Sequence, residues 1–385
     1  MSGELRRLAL RGLTTWLTVL LLSAGVAPLR GQDLGDRVTL HGFAGWSYGR
    51  TNVNNYLSGT PDGNYREGNF ALNIAASLGD RLTIVAQPSF SQGVEEGSSA
   101  VALDYAFAQW AFSDAVQLRL GKVQQPFGLY AEILKVGTLR PFYSLPQSVY
   151  GPSGMVADGL TGISLRLSTA ADKPWQLTAD VYGGGVDLTE FLVPVDINRG
   201  DTLSPPADRE NEVNRDVIGG RILLHTPVSG LSFGSSAFTG VATEGGESNR
   251  NTLFGLQAEY LTDVWSIRGE YAHNSEGDKY ITNAGYVEAA YRFTRAWQLA
   301  LRYDQFQNTL PGIPSPEFPE MLKHRAASVG VSYWFNPNLV LRAAYHDVHG
   351  NRFAGPDVEE YLPQANAGTL DPHTKLIELG VQFSF

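Results

Sequence analysis

Residues 265–303 read WSIRGEYAHNSEGDKYITNAGYVEAAYRFTRAWQLALRY. Trp265, Ile267, Gly269 and Tyr271 alternate with Ser266, Arg268 and Glu270, then Trp297, Leu299, Leu301 and Tyr303 alternate with Gln298 and Arg302. A period of two places successive side chains on opposite faces of a strand. The segments 264–274, 280–293 and 296–308 are therefore strands, joined first by a longer connection at 275–279 and then by a tight turn at 294–295.

Extending the same reading in both directions predicts sixteen strands. They cover 37–50, 69–79, 82–92, 100–113, 115–122, 160–169, 175–184, 217–226, 231–241, 252–261, 264–274, 280–293, 296–308, 324–335, 338–349 and 374–385. Most are long enough for tilted membrane spans of ~9–11 residues. In 100–113, 217–226 and 231–241 the alternation is broken and does not assign faces.

Two patterns separate a membrane barrel from a soluble sandwich. Connections alternate between tight turns and longer ones at 51–68, 93–99, 123–159, 185–216, 242–251, 275–279, 309–323 and 350–373, as periplasmic turns and external loops do. Aromatics also fall at two levels. Trp175, Trp265, Trp297, Tyr260, Tyr291, Phe293, Tyr333 and Phe335 mark the turn end, and Tyr271, Tyr303 and Tyr345 mark the other. Such girdles suit the two membrane interfaces. The fold expected is all-β, a transmembrane antiparallel barrel closed by pairing 374–385 with 37–50. No 18-residue apolar run offers a transmembrane helix after the leader.

Residues 1–31 have the form of a secretory signal peptide: Arg6, Arg7 and Arg11, an apolar run from Leu13 to Ala24, then small residues at Gly25, Ala27 and Gly31. Residues 32–385 would be the barrel domain. The leader carries four arginines and one glutamate, so the remainder bears −13 against −10 for the whole chain. An exported acidic chain is a poor partner for nucleic acid. There is no cysteine, hence no disulfide or thiolate metal site.

The wall carries charge opposite its apolar face: Arg119, Arg166, Arg221, Arg268, Arg292, Arg302 and Arg342, with Asp180, Glu259, Glu270, Glu288, Asp304 and Glu378. Wall-mounted guanidiniums give a wet lumen a positive field, unless they pair with neighbouring carboxylates and merely stiffen it. His346 and His349 point to opposite faces of one strand and cannot share a metal. No cofactor is implied, and no G-x-S-x-G, H-E-x-x-H or P-loop pattern occurs. Gly183-Gly184-Gly185 reads as the start of a loop, and the acidic residues of 185–216 as a solvated loop or a divalent bridge to lipopolysaccharide.

Leu103-Asp104-Tyr105-Ala106-Phe107-Ala108-Gln109-Trp110, Leu118-Arg119-Leu120-Gly121-Lys122, Pro126-Phe127-Gly128-Leu129, Arg140-Pro141-Phe142 and Leu145-Pro146-Gln147-Ser148-Val149-Tyr150 resemble the phosphate-selective porin O and P family, most specifically over about 100–160. The resemblance implies a trimeric porin of sixteen strands whose third long loop, here 123–159, folds into the lumen. It implies a passive channel for small hydrophilic solutes in the bacterial outer membrane, with no catalysis. An anion preference would rest on Arg119, Lys122, Lys135 and Arg140 at the constriction, opposed by Glu132 and Asp158. The terminal Phe385 resembles the signal that outer-membrane barrels present to their assembly machinery. The alternative is a barrel with an enzymatic, adhesive or structural role and no conduction.

Overall fold

The computed structural model describes residues 32–33, 37–92, 99–134, 136–151, 155–157, 159–170, 172–189, 211–244, 247–312, 318–356 and 358–385. Sixteen long strands form one antiparallel sheet: β1 (Val38–Thr51), β2 (Gly68–Ser77), β3 (Leu82–Gln92), β4 (Ser99–Ser113), β5 (Val116–Val123), β6 (Leu160–Ser168), β7 (Gln176–Thr189) and β8 (Asn211–His225) make the first half. The second half is β9 (Leu231–Glu244), β10 (Glu247–Leu261), β11 (Trp265–Glu276), β12 (Tyr280–Arg292), β13 (Trp297–Thr309), β14 (Lys323–Asn336), β15 (Leu339–His349) and β16 (His373–Ser384). Each strand pairs with its sequence neighbours, and β16 pairs with β1 from Leu376–Thr51 to Ser384–Phe43. The sheet is closed, so no long edge is left unpaired. Two-residue strands at Gln32–Asp33 and Gly59–Thr60 add to β1.

The faces divide by chemistry. Trp265, Ile267, Tyr271, Leu301, Tyr303, Leu341 and Tyr345 are exposed, while Arg268, Glu270, Arg302, Asp304 and Arg342 on alternate positions are buried. An apolar outside and a polar inside suit a lipid-embedded barrel and invert a soluble core. At the short-turn end, the Trp265 and Tyr291 rings lie 4.5 Å apart and those of Trp297 and Tyr333 4.9 Å apart. These pairs stand on the outer face, as the girdle requires.

Three expectations need correction. Gly183-Gly184-Gly185 does not open a loop: β7 continues to Thr189, and β8 begins at Asn211. Gly184 (φ +155°) lies opposite Gly162, where a Cβ would stand 2.2 Å from the Thr161 carbonyl, so the run serves a close approach of β6. The connection expected at 242–251 shrinks to 245–246, and that at 275–279 to 277–279. Those hairpins lengthen their strands rather than their loops. Asp187 and Glu212 belong to the β7–β8 ladder, and Glu190, Asp196, Asp201, Asp208 and Glu210 lie outside the described residues, as do the leader, Lys135 and Asp158.

Strand β4 hid its faces because it contains a bulge, and β8 because apolar and glycine residues fall on both faces of its regular stretch 217–225. Around Asp104 the pairing steps from Gln87–Tyr105 to Pro88–Leu103, so Leu103 stays outside while Asp104 and Tyr105 are both buried. At β8 the slip lies between Arg215 and Ile218, with Asp216 at φ +52°. Strand β9 hid its faces differently. Ser232, Ser236 and Phe238 point inward, with glycine, serine and alanine between them, so hydropathy carries no period.

Candidate functional site

Described residues of the connection 124–159 meet inward-facing side chains of the wall. The connection holds its own shape by short-range turns: Tyr130 accepts from Ile133 N–H (2.9 Å), Ile133 from Val136 N–H (3.0 Å), and Gly137–Leu139 forms a 3₁₀ turn. A four-residue helix, Gln147–Tyr150, follows.

Three aromatic rings of the segment occupy seats made by wall glycines. A Cβ on Gly255 (β10) would lie 2.7 Å from the Phe127 ring. One on Gly330 (β14) would lie 2.9 Å from Phe142, and one on Gly380 (β16) 2.3 Å from Tyr143. Only glycine lets those rings reach the wall, which is how an apolar segment docks inside a polar lining.

Polar anchors do the rest. Asp304 accepts from the N–H groups of Gln147 (2.7 Å) and Ser148 (3.1 Å). Glu270 accepts from the Tyr150 hydroxyl (2.6 Å), the Tyr286 hydroxyl (2.6 Å) and Leu129 N–H (3.1 Å). Tyr130 donates to Glu288. Guanidiniums take carbonyls instead: Arg302 holds Ser144 O at 3.1 Å, Arg342 holds Pro141 O at 3.2 Å, and Arg268 holds Leu139 O at 3.3 Å.

The arginines fall into two groups. Arg166 and Arg221 share Asp180 (2.7 and 2.9 Å) and Glu132 of the packed segment. Burial would raise the Glu132 carboxyl, but Arg221 and Arg166 outweigh it and hold it down at about 2. Arg302 pairs with Glu288 (2.9 Å), and Arg268 with Glu259. These pairs follow the sheet register, in which Arg166 faces Asp180 and Arg302 faces Glu288. Arg119, Arg140, Arg292 and Arg342 have no ion pair among the described residues. Arg119 donates to Gln109 (2.9 Å) and lies over Phe107 at 5.3 Å. Arg292 lies over Trp334 at 5.0 Å. Arg140 is buried, donates to Leu134 O at 3.3 Å, and is pushed below its ordinary value by that burial.

Lys122 needs correction. The ladder sets it opposite Ala106 and Thr161, on the outward face of Leu120 and Ile163. Its ammonium donates to the Leu103 carbonyl at 2.7 Å. It is a wall residue on the wrong side to line a constriction.

At the short-turn end the inner wall and the segment enclose a cavity of about 1060 Å³. Thr138–Pro141 form one side, Arg268, Arg292 and Arg295 face it, and Asp263 is its one lining carboxylate. Arg295, in the 293–296 turn, and the inner-wall glycines escaped the sequence reading. Inner positions on β2–β6 are more open than those on β11–β16: Asn73, Gln109, Arg119 and Arg166 are half-buried, whereas Glu270, Glu288, Arg302 and Glu378 are covered.

Fold, faces and inner lining define a sixteen-stranded antiparallel β-barrel with the fold of outer-membrane porins. Residues 235–385 match the family model described as phosphate-selective porin O and P, so the match lies in the second half rather than over 100–160. No curated protein matches. Outer-membrane expressed OmpT of Vibrio cholerae superposes with TM-score 0.56 at 11% identity, over 92% of this chain and 100% of that one. The outer-membrane channel DcaP of Acinetobacter baumannii gives 0.56 at 10% identity over 93% and 100%. An anion-selective porin from Comamonas acidovorans gives 0.56 at 13% over 90% and 99%. At such identities these likenesses concern the fold.

Proposed function

We propose that this chain is a passive outer-membrane channel for small hydrophilic solutes, trimeric, with a modest preference for anions such as phosphate. The segment 124–159 narrows the lumen, and the solute path runs between it and the half-open wall of β2–β6. One observation carries this reading: inner charges that remain accessible are mostly guanidiniums. Arg119, Arg166 and Arg292 are half-buried and Arg295 exposed, against half-buried Glu259 and exposed Asp263, while Asp104, Asp180, Glu270, Glu288, Asp304 and Glu378 are each no more than 7% exposed. Glu132 is 40% exposed but binds two arginines. The family description and the anion-selective neighbour support the same direction.

Selection would follow from pore width and from charge focused along a narrow path with low-dielectric walls. Arg119 and Arg140 are assigned the constriction, with Lys135 joining them from outside the described residues. The paired Arg166, Arg268 and Arg302 mainly hold the segment in place, and Arg292 and Arg342 flank the short-turn cavity and Pro141. The exposed apolar belt meets outer-membrane lipid and lipopolysaccharide, and Phe385 serves the assembly machinery. Reversal potentials in a salt gradient across a planar bilayer test the reading. Anion preference is expected; absence of conductance, or a cation preference, rejects it.

A further inference from the structure

We propose that Asp347, His349 and His373 form a binding site for a divalent transition metal of the zinc class on the outer face of the barrel, beyond the Tyr345 level at the long-loop end. Alternation splits His346 from His349, as expected. His346 points inward, buried and hydrogen-bonded to Ser328 (2.7 Å). The sheet then supplies a partner that the linear sequence conceals. His373 lies directly opposite His349 in the β15–β16 register, and Asp347, two residues before His349, shares their face.

The three side chains converge. The His349 and His373 rings stack at 4.3 Å between centroids with 9° between planes. His373 Nε2 lies 2.5 Å from Asp347 Oδ1, and one ligand atom from each residue falls within 4.8 Å of the others. The Asp371 carboxylate accepts from His373 N–H at 2.9 Å and fixes where β16 begins. Two imidazoles and one carboxylate suit zinc, which takes three protein ligands and leaves one position for water. Calcium and magnesium would require more oxygen donors. Asp347 and His373 are half-buried and His349 exposed, so an ion can reach the open position from solvent.

Two charges oppose the cation. Arg325 lies across from His349 on β14, and Lys375 across from Asp347 on β16; both are exposed. They weaken the site without blocking it, and their removal should tighten it.

The test uses the tag-free mature barrel in detergent, titrated with Zn²⁺ by calorimetry and with Co²⁺ by visible absorption. One ion per barrel is expected near neutral pH. Binding should be at least roughly tenfold weaker in His349→Ala and in His373→Ala, and tighter in Arg325→Gln. Heat-modifiable gel migration confirms that each variant is folded, and His225→Ala should bind as the unaltered chain does. Saturable binding that survives His349→Ala with His373→Ala, or no saturable binding at all by folded barrel, overturns the proposal.

Discussion

Arg119→Gln isolates the electrostatic part of the proposed selectivity. Arg119 is half-buried on β5, faces the open side of the lumen and has no ion pair among the described residues. Glutamine keeps a donor near Gln109 and removes only the charge. An ion passing about 5 Å from a guanidinium in water-like dielectric gains or loses about 0.8 kcal/mol. Screening at ordinary salt, with a Debye length of about 8–10 Å, trims this to about 0.5 kcal/mol. That is about a two- to fourfold change in local anion concentration and the inverse for cations, so the permeability ratio should move about fivefold or more toward cations. Single-channel reversal potentials in a KCl gradient read the ratio. Lys122→Gln supplies a control, because it removes one positive charge from the outward face of the same strand. It should leave the reversal potential in place. An unchanged potential in Arg119→Gln, or a larger shift in Lys122→Gln, refutes the assignment.

Gly380→Leu should unseat Tyr143, because even a Cβ at that position stands 2.3 Å from the ring. Docking of the segment weakens by about 2 kcal/mol, the scale of one buried aromatic, and single-channel conductance rises; unaltered conductance would count against an inward constriction. Glu67, beside β2, is raised from 4.5 to about 7 by burial and by Glu378, with Arg140 opposing. The folded barrel therefore holds a proton that the unfolded chain has released, and stability should fall as pH rises from about 4.5 to about 7 and level off above. Thermal unfolding in micelles across that window should lose this slope in Glu67→Gln; equal slopes would place the titration elsewhere. Deletion of Phe385 removes a ring seated over Gly42 and two backbone hydrogen bonds to it (2.8 and 3.1 Å), and should lower outer-membrane levels. Normal levels would make the terminal residue incidental.

The strand plan was legible because a barrel wall repeats one rule sixteen times. Where the rule failed, the cause was local: a bulge at Asp104, apolar and glycine residues on both faces of 217–225, and small inward residues on β9. Long-loop-end geometry was less legible, since β9–β12 extend as hairpins and composition does not mark where a ladder stops. The inner arginines were visible, but their partners were not. Arg166 meets Asp180 through register and Glu132 through the packed segment. The error at Lys122 was avoidable, because alternation already set it with Leu118 and Leu120. The glycine seats at 255, 330 and 380 left no trace, since glycine on an inner face looks like glycine anywhere in a strand.

An overall charge of −10 says little about which ions such a wall favours. A packed segment offers N–H groups, tyrosine hydroxyls and carbonyls, and the wall must satisfy each kind. Carboxylates accept only, so Glu270 and Asp304 turn toward Tyr150, Leu129, Gln147 and Ser148 and are covered by what they bind. Guanidiniums donate only, with five N–H groups, and can hold a carbonyl or a carboxylate while keeping charge to spare. Docking therefore covers the acidic half of the lining more completely than the basic half. Where the segment leaves the wall open, at Arg119, and around the short-turn cavity, at Arg292 and Arg295 against the one carboxylate of Asp263, the exposed charge is mainly positive. The anion preference proposed for this acidic barrel would then follow from how its lumen is filled.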